Sequence, residues 1–144
     1  MTREGNQTCY GLLADFLRYP QGDSEMEELY TRTFDIQALC CLDVGYTLFG
    51  EDYKRGQLLV KMLSLHQRYD NFCGTELADH LPNILTLLPK LDPEEAGEIV
   101  DRLVLPAIEK MTTAFKDSGN PYGAVLQTVS GILKDDFKRE GLYE

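Results

Sequence analysis

The tightest grouping of chemistry-bearing side chains in this sequence is Asp79-His80, a carboxylate beside an imidazole, within the run Glu76-Leu77-Ala78-Asp79-His80-Leu81-Pro82. A carboxylate that orients an imidazole can serve general acid–base catalysis. Neighbours along a helix do not face each other, so adjacency alone makes no dyad. The same run reads as a helix start. Asp79 stands where a cap would accept from the free amides of the first turn, and Pro82 where a missing N–H costs nothing. The other histidine, His66, lies on an apolar stripe and reads as a hydrogen-bonded core residue. A metal-dependent hydrolase built on Asp79, His80 and His66 is a further reading, and it would need about three protein ligands at one metal.

The four cysteines, Cys9, Cys40, Cys41 and Cys73, form no C-x-x-C pair. On a helix, adjacent Cys40 and Cys41 would point about 100° apart, so they make no clamp for zinc. They read as reduced and mostly buried thiols. No phosphate loop, G-x-G-x-x-G, G-x-S-x-G or H-E-x-x-H occurs. No E-x-x-H pair is present for a di-iron bundle. The sequence therefore carries the expectation of a binding protein with no catalytic residues, no metal and no cofactor.

The elements that must position these residues are helices. Apolar residues recur with the helical period almost throughout, and alternation of period two is nearly absent. Tyr10, Leu13, Ala14 and Leu17 make one stripe, ended by Pro20 and Gly22. Met26, Leu29, Tyr30 and Thr33 make a second. Ile36 to Phe49 is apolar on most sides, with only Gln37 and Asp43 clearly polar, and reads as a central helix stopped by Gly50. From Asp52 to Phe72, Leu59, Met62, Leu63, His66 and Tyr69 share a face, with Lys54, Arg55, Lys61 and Arg68 pointing elsewhere. Gly56 inside that helix suggests close approach of a neighbouring backbone. Asp92-Pro93-Glu94-Glu95 has the form of a cap, a first-turn proline and a capping box. Pro106 should kink or split the helix that follows. Asn120-Pro121 opens the last helix, and residues 139–144 read as a frayed tail. The expectation is an all-α fold: one domain over residues 1–144, a bundle of about seven helices.

A chain of 144 residues suits one domain with its own core. Twenty-four acidic against fourteen basic residues give a net charge of -10. That balance repels phosphate backbones and anionic membranes, so nucleic-acid binding is not expected. A basic partner would be steered toward it. No stretch approaches the roughly 20 apolar residues of a membrane span, and the N-terminus lacks the pattern of a signal peptide. The expected setting is the cytoplasm, with no stable membrane insertion.

Several motifs in order resemble the NarJ-type chaperones, the nitrate reductase delta-subunit family. They are Leu12-Leu13 through Tyr19-Pro20; Leu29-Tyr30 with Phe34-Asp35; Phe49-Gly50 with Lys54-Arg55-Gly56-Gln57; Glu76 to Pro82; and Tyr122 with Leu126. The chain departs from the family in having only Gln21 to Glu28 between the Tyr-Pro and Leu-Tyr motifs, and Ala78 where proline is common. The resemblance implies a dedicated assembly chaperone, absent from the finished enzyme. Its partner would be the catalytic subunit of a molybdenum oxidoreductase, bound through an N-terminal segment resembling a twin-arginine signal remnant. Binding would keep that subunit competent for molybdenum cofactor insertion before membrane docking.

A peptide helix of this kind would lay its apolar face in a groove between helices. Tyr46, Leu48, Phe49, Leu81, Pro82 and Ile84 are the expected groove residues. Asp79, with His80 beside it, would offer a carboxylate to an arginine or amine, and Arg55 would orient Asp79 or another carboxylate. The alternative is a generic acidic helical adaptor or regulatory subunit, binding a folded surface instead of a terminal peptide.

Overall fold

The computed structural model describes residues 11–14, 16–18, 22–36 and 38–137. Cys9, Tyr10, Pro20 and the tail 139–144 lie outside the described residues. The fold is all-α, with no strand among the described residues. Helical residues 11–14 and 16–17 come first. Seven helices with defined limits follow: α1 (Asp23–Phe34), α2 (Val44–Phe49), α3 (Tyr53–Arg68), α4 (Leu81–Leu87), α5 (Pro93–Ile99), α6 (Leu105–Thr113) and α7 (Tyr122–Asp136). A 3-10 turn, Leu88–Lys90, extends α4.

Two compact units are distinguishable, Met1–Cys41 with Ile108–Glu144, and Leu42–Ala107. In the first, Leu29, Cys40, Ile108, Met111, Phe115, Leu126 and Leu133 are buried. Tyr122 packs against Phe16, Tyr30 and Phe34 with ring centroids 5.0, 5.8 and 5.1 Å away. These tilted and edge-on contacts are the favoured aromatic geometries. Burial raises the Tyr122 phenol above its ordinary range. Gly123 lets α7 approach Phe115 closely, since a Cβ there would lie 2.9 Å from Phe115 Cβ. Thr33, fully buried, satisfies its hydroxyl by donating to Leu29 O and accepting from Asn120 Nδ2 at 2.9 Å.

In the second unit, Val44, Met62, Ile84, Leu87, Val100 and Val104 form the centre of the core. The α5–α6 run accommodates Pro106 with a single π turn, Val100–Val104. Proline has no N–H for the carbonyl four residues back and its ring presses on that carbonyl. A wider turn relieves both, and the Leu105 N–H accordingly donates to Val100 O, five residues back.

Several expectations are corrected. Ile36 to Phe49 is not one helix: only Val44–Phe49 is helical, and the described residues from Ile36 to Asp43 form no helix. Gly22 does not end a helix but is the N-cap of α1, where its N–H donates to Glu25 Oε2 at 2.8 Å. Leu17 is exposed. Asp92 is the N-cap of α5 with Pro93 in the first turn, yet neither it nor Glu95 makes a side-chain capping bond. The buried face of α3 is Leu58, Met62, Leu65 and His66, with Leu63 exposed. Gly50 does terminate α2, at φ 65°, a conformation that favours glycine.

Candidate functional site

Two extended segments meet at the starts of α2 and α4. The Val44 N–H donates to Asp79 O and the Leu81 N–H to Leu42 O, both at 2.9 Å. This isolated antiparallel bridge sets Asp43 opposite His80. The two belong to the pair type whose side chains lie closest, because the bonds flank them. Each is also an N-cap, Asp43 of α2 and His80 of α4. Asp79 is therefore not the cap of α4, as its place in the sequence suggested. The bridge turns its carboxylate the other way, onto α2. There Asp79 Oδ2 accepts from the Gly45 N–H at 3.0 Å, satisfying a free first-turn amide of a helix 34 residues upstream.

Arg55, in the first turn of α3, completes the cluster. Its Nε donates to Asp79 Oδ2 at 3.1 Å and its Nη2 to Asp43 Oδ2 at 3.2 Å. The expectation that Arg55 points away from the buried face is thus corrected. It lies three residues before Leu58 and seven before Met62, on their side of the helix. The Tyr46 ring covers it, with the guanidinium carbon 5.3 Å from the ring centroid. His80 Nδ1 faces Asp43 Oδ1 at 3.0 Å, and Glu76 Oε2 stands 3.9 Å from the same nitrogen. Asp79 is 0% exposed, whereas the Glu76 side chain is 56% exposed at the rim. Two carboxylates thus face the guanidinium, and the third, Glu76, stands near the His80 ring on the solvent side.

Asp43, Glu76 and His80 bring three ligand-type atoms within 4.8 Å of one another. The Arg55 guanidinium shares Asp43 and opposes a cation there. His66 is a separate, structural network. It is 2% exposed, with Nε2 2.9 Å from Ala78 O and Nδ1 3.0 Å from Asn71 Nδ2. A carbonyl accepts and an amide nitrogen donates, so the ring carries its proton on Nε2. Asn71 also reaches Asn83 O at 3.1 Å, tying the end of α3 to α4. Cys40 is buried beside Cys41, and desolvation first, then its thiol neighbour, pushes its pKa from 9.0 to about 11. A thiol so raised is a poor nucleophile at neutral pH.

The residues expected to form a site divide into three groups. Arg55, Asp79 and His80 come together in the cluster. Tyr46 and Pro82 are exposed, and Leu48 and Phe49 half-buried. Leu81 and Ile84 point into the core, which takes them out of any groove; α4 is short, and its apolar face is spent on packing. Nor does the Asp79 carboxylate face solvent.

Asp43, Gly45 and Glu76 were missing from the expected site. Asp43 had a signal, as one of two polar residues in the apolar run Ile36 to Phe49. Gly45 is held against the cluster: a Cβ there would lie 2.7 Å from Asp79 Oδ2 and 3.0 Å from Arg55 Cγ. Gly56, read as the close-packed glycine, has nothing within 4 Å of that position.

The chain matches no model of a known protein family. No curated protein matches it either.

Proposed function

We propose that this chain is a dedicated assembly chaperone, a binding protein and not an enzyme. It binds the N-terminal segment of a nitrate-reductase-like molybdoenzyme catalytic subunit, in the cytoplasm, and keeps it competent for cofactor insertion. The observation that carries the reading is the meeting of two motifs that are distant in sequence. Arg55, from Lys54-Arg55-Gly56-Gln57, pairs at 3.1 Å with Asp79, from Glu76 to Pro82. Those are two of the motifs on which the family resemblance rests, and the fold links them.

The surface beside the cluster has the right chemistry for a basic, partly apolar peptide. Glu76 and Asp43 leave carboxylate oxygen at the rim, Tyr46 presents an exposed ring, and Phe49, one turn on, lines a cleft of about 410 Å3 over Leu58, Ile99 and Leu103, whose charged lining is mixed, Lys54, Lys61 and Arg102 with Glu95 and Glu98. The peptide's arginine would sit against the carboxylates and its apolar side chains along α2. No helix among the described residues is long and apolar enough to cross a membrane.

The test is isothermal titration with the N-terminal peptide of a molybdoenzyme catalytic subunit. Glu76→Gln and Tyr46→Ala are the informative variants, because both side chains are exposed, and circular dichroism should show an unchanged fold in each. Micromolar binding that each variant weakens severalfold, and that falls as salt rises, is the expected result. Binding that neither variant changes would remove the site from this surface, and no binding to any such peptide would overturn the reading.

A further inference from the structure

The surface of α3 differs from the rest of this acidic chain. Its sixteen residues contain Lys54, Arg55, Lys61 and Arg68 and no aspartate or glutamate, in a protein of net charge -10. Arg55 is committed to the cluster, whereas Lys61 and Arg68 stand on the solvent side. Beside them runs a second apolar stripe, opposite the buried one. Tyr53, Val60 and Leu63 are 73, 71 and 50% exposed, and Gly56 completes the series.

Their spacing of three, four and three residues is that of a helix–helix seam. At 100° per residue the seam covers roughly 80° of the helix, and Arg68 and Lys61 follow roughly 60–80° beyond Tyr53. Scattered exposed apolar residues need no explanation, but a continuous seam does. Glycine in the interior of α3 is unfavourable, and no other part of the described residues lies within 4 Å of a Cβ at Gly56. The opening it leaves in the seam faces outward, where the backbone of another helix could approach. At the C-terminal end, Leu63 shares a hollow of about 480 Å3 with Phe72, which is 90% exposed. A partner's terminal apolar side chain has a place to anchor there.

We infer that the outer face of α3 docks an acidic amphipathic helix. Its apolar side chains lie along Tyr53, Val60 and Leu63, and its carboxylates face Lys61 and Arg68. Charge complementarity selects this occupant. A second copy of the chain would bring its own Lys61 and Arg68 to the contact, and a basic peptide of the kind proposed for the Glu76 rim would be repelled. The inference goes beyond the proposed function; Lys61 also lines the cleft beside Phe49, so Val60 and Arg68, which do not, are the positions whose substitution separates the two.

The test uses the full chain and a fluorescent synthetic helix of about 18 residues, with leucines three and four residues apart and glutamates along one edge. Controls are its sequence-scrambled isomer and a version with lysine for each glutamate. Binding of the acidic helix alone is expected. Val60→Glu should weaken it about tenfold or more, since a fully buried aliphatic side chain is worth about a decade in affinity. Lys61→Glu with Arg68→Glu should weaken it severalfold at low salt, with recovery on the lysine version. These positions are exposed, so circular dichroism should show an unchanged fold in each variant.

Failure of the acidic helix to bind, or equal affinity for wild type and Val60→Glu, overturns the inference. Two findings made while the acidic helix fails to bind would redirect the face. Adsorption to phosphatidylserine vesicles that Lys61→Glu abolishes would make it a membrane contact. A dimer in sedimentation that Val60→Glu dissociates would make it a self-contact.

Discussion

Replacing Gly45 and Gly56 by alanine, one at a time, tests the architecture of the polar cluster with its own control. Both glycines lie in helices, and neither has a positive φ, so backbone strain enters neither comparison. At Gly56 the new methyl meets nothing within 4 Å. Alanine there should stabilise the fold by about 0.5–1 kcal/mol, through helix propensity and a less flexible unfolded chain. At Gly45 the methyl would sit 2.7 Å from Asp79 Oδ2, 3.0 Å from Arg55 Cγ and 3.1 Å from Leu58 Cδ2.

The Asp79 carboxylate is not free to swing aside, because the Gly45 N–H and the Arg55 guanidinium both hold it. Moving it weakens a hydrogen bond to a charged group, worth about 1.5–3 kcal/mol, and overpacking adds about 1–3 kcal/mol. Propensity returns at most about 1 kcal/mol. The net expectation is a loss of about 2–4 kcal/mol, a large part of the roughly 5–15 kcal/mol that holds a typical domain folded. Urea unfolding followed by far-ultraviolet circular dichroism reads both effects. With a slope of about 2 kcal/mol per molar urea, the Gly45→Ala midpoint should fall by about 1–2 M while that of Gly56→Ala rises. Equal midpoints for the two variants would refute the assignment of Gly45 as the glycine that the cluster requires.

Asp79→Ala should cost about 3–5 kcal/mol in the same assay, because it leaves the Arg55 guanidinium and the Gly45 N–H without their shared acceptor, and Asp79→Asn should cost less by keeping an oxygen for the amide. Peptide binding is therefore poorly tested at Asp79, where any loss would report folding. Alkaline pH should also destabilise the fold. Cys40 has a raised pKa of about 11 against an ordinary 9.0, so between those values the unfolded chain gives up a proton that the folded chain keeps, and stability falls as pH rises. The fall should be shallower over that window in Cys40→Ala, as measured by thermal melts from pH 8 to 11, and an unchanged slope would show that the thiol is not the group responsible.

Helix content, the stop at Gly50, the start at Asp92-Pro93, and the burial of His66 and Cys40 were legible because they depend on local rules: apolar period, a glycine stop and a first-turn proline. What misled was any feature whose meaning is set by a partner distant in sequence. Ile36 to Phe49 has the composition of a buried helix. Its first half forms no helix among the described residues, and Leu42 and Asp43 pair instead with Leu81 and His80, 39 and 37 positions away. That pairing also reversed the reading of Asp79, a good cap by local rules, by pointing its carboxylate at α2. The two glycines were exchanged for the same cause: helix propensity identifies a costly glycine, but only the tertiary structure says which one has a neighbour. Arg55 was read both ways, as a surface cation and as the partner of Asp79. Only the register of α3 against Leu58 and Met62 decides between them.

The cluster has a consequence for how a ligand at this surface would act. Asp43 stands at the N-cap position of α2 and His80 at that of α4, and Arg55 ties both segments to the first turn of α3, so three helix starts converge on one set of charges. Each group is held by another: Asp79 by Gly45 and Arg55, Asp43 by Arg55 and His80. An arginine arriving at Glu76 and Asp43 competes with Arg55 for carboxylate oxygen at the exposed edge, while the Asp79–Gly45 bond beneath remains closed to water. On the proposed reading, the buried layer would supply rigidity and the rim recognition. Substitutions in the two layers should accordingly separate, with Gly45 and Asp79 changing stability and Glu76 and Tyr46 changing affinity at constant stability.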